Sequence, residues 1–261
     1  MEFLRTIRRR SFLSESAHIA LNIALAVAVL LIVRTVESPV PAMALVLLSK
    51  WRVFAVRPRY WAANIQANFV DVVVSIGAVM LLYSVVALEY ALPLQVIIAA
   101  AYACWLTVLK PRSSKRAIVA QSATALLVGT TVLFVSSYNW PLEILVVSMA
   151  IVGYVTARHV LTQFEEDHLQ FLSLLWAFVL AQLAWVLSHW TIAYSLPGVD
   201  VRIPQATLII GAFAFVAYRV YASYRKHGQV RSVDVALPVL FSASITLVIL
   251  VFFSAIPTGA L

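Results

Sequence analysis

Nine apolar stretches follow one another along this chain, at about 16–34, 39–57, 62–87, 90–110, 117–138, 141–160, 169–196, 203–222 and 233–256, with short polar breaks between them. Most reach the ~20 residues that a helix rising ~1.5 Å per residue needs to cross ~30 Å of hydrocarbon. Inside a bilayer there is no water for backbone N–H and C=O groups, so such segments must be helical. The pattern predicts an all-α fold, a polytopic transmembrane helix bundle of about nine helices. The second stretch is the awkward one, because Lys50 and Arg52 interrupt it.

The basic residues bear on that doubt. All but Arg34 and Arg202 of the 19 Lys and Arg fall in five groups: Arg5 to Arg10, Lys50 to Arg59, Lys110 to Arg116, Arg158, and Arg219 to Arg231. Two apolar stretches separate each group from the next. Cytoplasmic loops keep Lys and Arg while translocated loops do not. The alternation therefore predicts nine spans, N-in and C-out. If the second stretch did not cross, every later basic group would fall on the wrong side. Trp140 and Trp190 sit at expected outer helix ends, where an aromatic belt belongs.

Composition agrees, with 63% hydrophobic and 11% charged residues against about 25% charged in soluble domains. The net charge of +8 would suggest nucleic acid in a soluble protein. Here topology accounts for it, with anionic headgroups as counter-ions, and no nucleic-acid partner is expected. The single cysteine, Cys104, excludes an intrachain disulfide and is expected to be a buried packing thiol. Residues 1–13 carry Phe3, Leu4, Ile7 and Leu13 on one side and arginines on the other, which reads as an interfacial basic amphipathic segment. Residues 14–261 read as a single transmembrane helix-bundle domain.

The sharpest candidate for chemistry is Asp71. If its helix enters the membrane near Ala62, nine residues place the carboxylate about 14 Å deep, near the midplane, where an ionisable group marks a functional site by default. Asn64, Asn68, Asp71 and Ser75 fall within about 60° of one another on a helix, a polar stripe suited to a hydrated half-channel or an ion or proton site. The competing reading is interhelical hydrogen bonding with an ion-pair partner. Lys50 is that partner. It lies nine residues before the turn near Arg59 and Asp71 twelve after, an axial offset of about 4–5 Å that a lysine side chain covers. Lys50→Ala should cost more than Lys50→Ala/Asp71→Ala, because it strands a buried charge.

Gln182, Trp185 and His189 share a face of the seventh helix and are a candidate outer pocket. His18 and His189 belong at opposite ends of the bundle, which argues against a shared metal. Glu165-Glu166-Asp167-His168 precedes the seventh helix, where acidic residues complement the macrodipole. No metal site and no cofactor are expected. Phosphate-loop, nucleophile-elbow and zinc-protease motifs are absent, so an enzymatic role is the less favoured reading. Ala20, Ala24 and Ala28 form a small-residue stripe along which another helix can approach closely.

The stretch Leu45 to Trp61, LVLLSKWRVFAVRPRYW, resembles uncharacterised multi-pass inner-membrane proteins of small-genome bacteria. The resemblance implies a multi-pass protein of the cell inner (cytoplasmic) membrane and brings no activity or site residue with it. Two functional classes stand level. One is a secondary transporter or ion-coupled carrier using the midplane carboxylate. The other is a non-catalytic membrane subunit or scaffold. The expected partners are membrane lipids, and other membrane proteins or a second copy of the chain.

Overall fold

The computed structural model describes residues 2–36, 38–55, 57–88, 90–137, 140–189, 193–196 and 199–252. Trp190 and the C-terminal residue lie outside them, and the side chains of 1–13 are likewise outside those described. Nine α-helices are present among the described residues: α1 (Glu2–Val36), α2 (Pro39–Ser49), α3 (Trp61–Ser84), α4 (Ala91–Cys104), α5 (Lys115–Ser136), α6 (Leu142–Gln163), α7 (Leu169–Ser188), α8 (Gln205–His227) and α9 (Ser232–Phe252). Eight helical segments are long and apolar enough to cross a membrane; α2 is shorter. The helical bundle and its membrane-embedded character follow. α1 runs unbroken from Glu2 to Val36, and its apolar, membrane-length part begins at Ser14.

The chain forms two compact units, Met1–Ser122 and Ala123–Leu261, dividing within α5. In the first unit α1 packs on α2, α3 and α4, and α3 on α2 and α4. Ala26, Val29 and Val33 are buried on α1, Ala42 and Val46 on α2, and Gln95, Ala99 and Tyr102 on α4. These i, i+3, i+4, i+7 spacings are inward helical stripes. Ala20 and Ala24, by contrast, are exposed. Cys104 is exposed too, which corrects the expectation of a buried thiol: Tyr102, Trp105 and Leu106 hold the inward side of that helix.

The second apolar stretch ends its α-helix early. Ser38 caps α2 through its hydroxyl, which accepts from the Val40 N–H, and Lys50 closes it. The chain then winds as short 3-10 turns over Trp51–Phe54 and Pro58–Tyr60. Pro58 keeps Arg57 extended, at φ −57° and ψ 139°, because a proline ring clashes with a helical predecessor. Residues 39–54 together extend about 24 Å at ~1.5 Å per α and ~2.0 Å per 3-10 residue. Val53 and Phe54 accept hydrogen bonds from the Asn64 and Trp61 side chains of α3, so this run lies antiparallel to α3 along its first turns.

In the second unit α6 and α7 form a close hairpin, and α8 packs on α9 and α7. Lipid tails are as apolar as leucine, so helices associate here through close packing and hydrogen bonds rather than hydrophobic exclusion. The α7 seam is accordingly rich in small residues: Ser173, Ala177, Ala181 and Ala184 are buried there beside Leu180 and Leu187, while Phe171, Leu174 and Phe178 are exposed. Gly228 ends α8 at φ +70°, the left-handed cap that glycine adopts without strain. Asp234 then ties α9 back to α8, accepting from the Ser223 hydroxyl at 2.9 Å and lying 3.3 Å from His227 Nε2.

Helix seven does not continue to 196. It stops at Ser188, and an antiparallel pair, β1 (Ala193–Leu196) and β2 (Val199–Pro204), follows. The Pro197-Gly198 turn signal and, after it, the β-branched and polar residues alternating from Val199 to Ile203 carry this signal in the sequence. It is easily lost beside two long apolar helices.

Candidate functional site

The first unit gathers its chemistry around Asp71, which is 6% exposed. Oδ2 receives the ammonium of Lys50 from the end of α2 and that of Lys110 at 2.7 Å. Oδ1 accepts from the Trp105 indole N–H at 3.0 Å and from the Ser75 hydroxyl at 3.4 Å. Lys50 also donates to Ser75 Oγ at 3.0 Å. A carboxylate offers about four acceptor positions, and this one has four donors from its own chain. With all three ionisable groups charged, the cluster carries one surplus positive charge.

Lys50 arrives because α2 stops at Ser49 and turns the side chain toward α3. Trp105 and Lys110 arrive by a different device. After Cys104 the α4 ladder widens to a π-helical turn over Trp105–Leu109, and the Lys110 N–H bonds to the Trp105 carbonyl at 2.8 Å. That i→i+5 bond stacks residue 110 over residue 105, so both side chains reach one carboxylate. In a regular α-helix they would point about 140° apart. Such π turns recur at functional sites.

The expected polar stripe divides. Asp71 and Ser75 are buried in the cluster, whereas Asn64 donates to the Val53 carbonyl at 3.4 Å and Asn68 to the Asn64 carbonyl of its own helix at 2.9 Å. These two asparagines pin the start of α3 and do not extend the Asp71 contacts. Asp71 is ten residues from the start of α3, about 15 Å, and one lysine side chain from Lys110, which closes the α4 segment.

Deeper along the same side of α4, the Tyr102 hydroxyl and Gln95 Oε1 are buried without a well-formed hydrogen bond. The Gln95 amide donates to the Leu82 carbonyl at 3.2 Å. Gln182, Trp185 and His189 lie on an exposed face of α7, with His189 Nδ1 2.8 Å from the Trp185 carbonyl. The acidic run at 165–168 turns out to dock on α8: Glu166 Oε2 accepts from the Tyr221 hydroxyl at 2.5 Å and pairs with Arg225 at 3.6 Å. No group of three or more metal-ligating side chains occurs among the described residues.

Lys110 and Trp105 are the site residues that the sequence pattern did not indicate. Lys110 registers there only as a loop charge and Trp105 as one more apolar residue. None of the known protein families, curated proteins or solved structures compared with this chain matches it.

Proposed function

We propose that this protein is a non-catalytic membrane subunit or scaffold, one that binds partner membrane proteins or lipids, with the Asp71 cluster as its internal brace. The observation that carries this reading is the filled carboxylate. Every acceptor position of Asp71 is taken by Lys50, Lys110, Trp105 or Ser75, leaving none for an ion to occupy without dismantling three helix contacts. The test is purification without crosslinking, followed by identification of what co-purifies. Stoichiometric membrane proteins or a defined lipid support a subunit; a chain that purifies alone, in mixed bulk lipid, counts against it.

A second reading, an ion- or proton-coupled carrier, is favoured by one observation. The buried Tyr102 hydroxyl and Gln95 Oε1, neither with a well-formed hydrogen bond, lie seven residues apart on the face of α4 that holds the cluster, a start of a polar path inward. Asp71→Asn separates the two. A carrier loses activity out of proportion to folded protein, while a brace loses it only as folded protein is lost. Growth complementation normalised to folded protein makes the comparison, and full activity per folded molecule in the variant ends the carrier reading.

The topology belonging to both readings is nine crossings of a cytoplasmic membrane, N-in and C-out, with residues 39–54 as the short second crossing. Its 3-10 extension makes up most of the length that α2 lacks. A reporter fused after Leu261 is expected to read as external, and one inserted between Lys110 and Arg116 as cytoplasmic. A cytoplasmic C-terminus would remove the second crossing and the parity on which it rests.

A further inference from the structure

We propose that the end of the α4 segment is a two-register switch, selected by Asn22 of α1, that sets whether Lys110 rests on Asp71. In the π register Lys110 rests there; in a regular α register it would leave. The inference holds whether the Asp71 cluster braces the protein or serves a carrier, because it stands on the hydrogen bonds of the turn.

The widened turn gives up one backbone hydrogen bond, and the carbonyl that loses it can be identified. Leu106 O would accept from the Lys110 N–H in an α-helix and from residue 111 in a continued π-helix. The Lys110 N–H is taken by the Trp105 carbonyl at 2.8 Å. Residue 111 is a proline, which has no N–H. The donor comes instead from α1: the Asn22 amide reaches the Leu106 carbonyl at 3.3 Å, across 84 residues of sequence. In the α register the Lys110 N–H would fill that carbonyl and Asn22 would lose its partner. Asn22 therefore stabilises the π register over the α register. Gln121 of α5 holds the far end of the turn, donating to the carbonyls of Leu109, Lys110 and Arg112 at 2.7, 3.3 and 2.8 Å.

Both registers leave Asp71 compensated, as a switch requires. In the π register Oδ2 has two ammonium groups, those of Lys50 and Lys110. In the α register residue 110 would point about 140° away from residue 105. Asp71 and Lys50 would then remain as a neutral pair, with Trp105 and Ser75 still donating to Oδ1. Lys110 is the lysine that can leave at little cost, since 38% of its side chain is exposed against 9% for Lys50. An open groove of about 400 Å³ beside Asn22, Leu106, Thr107 and Pro111 gives the turn room on that side. Drawing α1 away from the turn thus releases one of the two cations of the cluster.

The test treats the full-length protein in detergent with limiting acetic anhydride and reads each lysine by mass spectrometry, with the exposed Lys226 as reference. In the wild type Lys110 is expected to react more slowly than Lys226. Asn22→Leu keeps the size and removes the donor. It should raise the acetylation of Lys110 about tenfold, the factor equivalent to one lost hydrogen bond to a charged group, while Lys50 stays as slow as in the wild type. Asn22→Gln, which keeps an amide donor, should stay close to the wild type; behaviour like that of Asn22→Leu would count against the hydrogen bond as selector. Unchanged labelling of Lys110 in Asn22→Leu overturns the switch. A parallel rise at Lys50 overturns it too, because the whole cluster would then have opened. If Asn22→Leu does not fold, Asn22→Ala takes its place, and a wild-type Lys110 as reactive as Lys226 is enough by itself to overturn the proposal.

Discussion

Asp71→Asn is expected to destabilise this protein more than any other single change in the cluster, by about 3–5 kcal/mol, the cost of stranding buried charge measured in soluble proteins. The geometry sets the order. Removing Asp71 leaves Lys50 and Lys110 converging on one point with no carboxylate between them. Removing Lys50 leaves a neutral Asp71–Lys110 pair, and removing Lys110 leaves a neutral Asp71–Lys50 pair. Either lysine change should therefore cost markedly less than Asp71→Asn. This reverses the expectation for an isolated pair, in which Lys50→Ala would be the damaging change. Adding Lys50→Met to Asp71→Asn should recover part of the loss, because only Lys110 then remains and its exposed side chain can swing outward. Unfolding midpoints of the variants, compared as a double-mutant cycle, check the order. If Lys50→Ala proved as costly as Asp71→Asn, Lys110 would not be acting as a second counter-ion.

Gly153→Leu is the other substitution expected to be severe, at roughly 1–3 kcal/mol or more for overpacking a close contact. A Cβ at Gly153 would meet the Ala177 Cα of α7 at 3.0 Å and Leu180 Cδ1 and Cβ at 3.1 and 3.2 Å. Backbone cannot retreat as a flexible side chain does, so α6 and α7 would have to separate along a seam whose contacts depend on closeness. Gly153→Ala adds one methyl at the same place and regains about 1 kcal/mol of helix propensity, so its net effect should be much smaller. Thermal unfolding in detergent of both variants gives the comparison. A fully tolerated leucine would mean that this helix pair does not need its close approach.

Much of the cluster could be read along the chain in part. Asp71 stands out as a carboxylate within an apolar stretch, and the antiparallel turn near Arg59 brings Lys50 opposite it. Both follow from helical rise and the reach of a lysine. Trp105 and Lys110 could not be paired with it in this way, because faces are assigned by assuming 3.6 residues per turn and these two share a side only through the π-helical turn. The small-residue stripes show the same limit. Ala20-Ala24-Ala28 and Ser173-Ala177-Ala181 have the same spacing, yet Ala20 and Ala24 are exposed while Ser173, Ala177 and Ala181 are buried. Small side chains permit close approach; which helix arrives depends on loops and on everything packed around them.

The sequence by itself determined the solvent, the helical architecture and the places where charge can reside. Each of these follows from local quantities: the length of apolar runs, the absence of water for backbone groups in lipid, and the spacing of Lys and Arg. It also singled out Asp71, since one acid in such a run has few structural excuses. The tertiary structure decided how that carboxylate is used. Only the packing of α2, α3 and the π-helical end of α4 brings two lysines, an indole and a hydroxyl to its two oxygens, because those groups are 4 to 39 residues away from it along the chain and their meeting depends on where each helix stops.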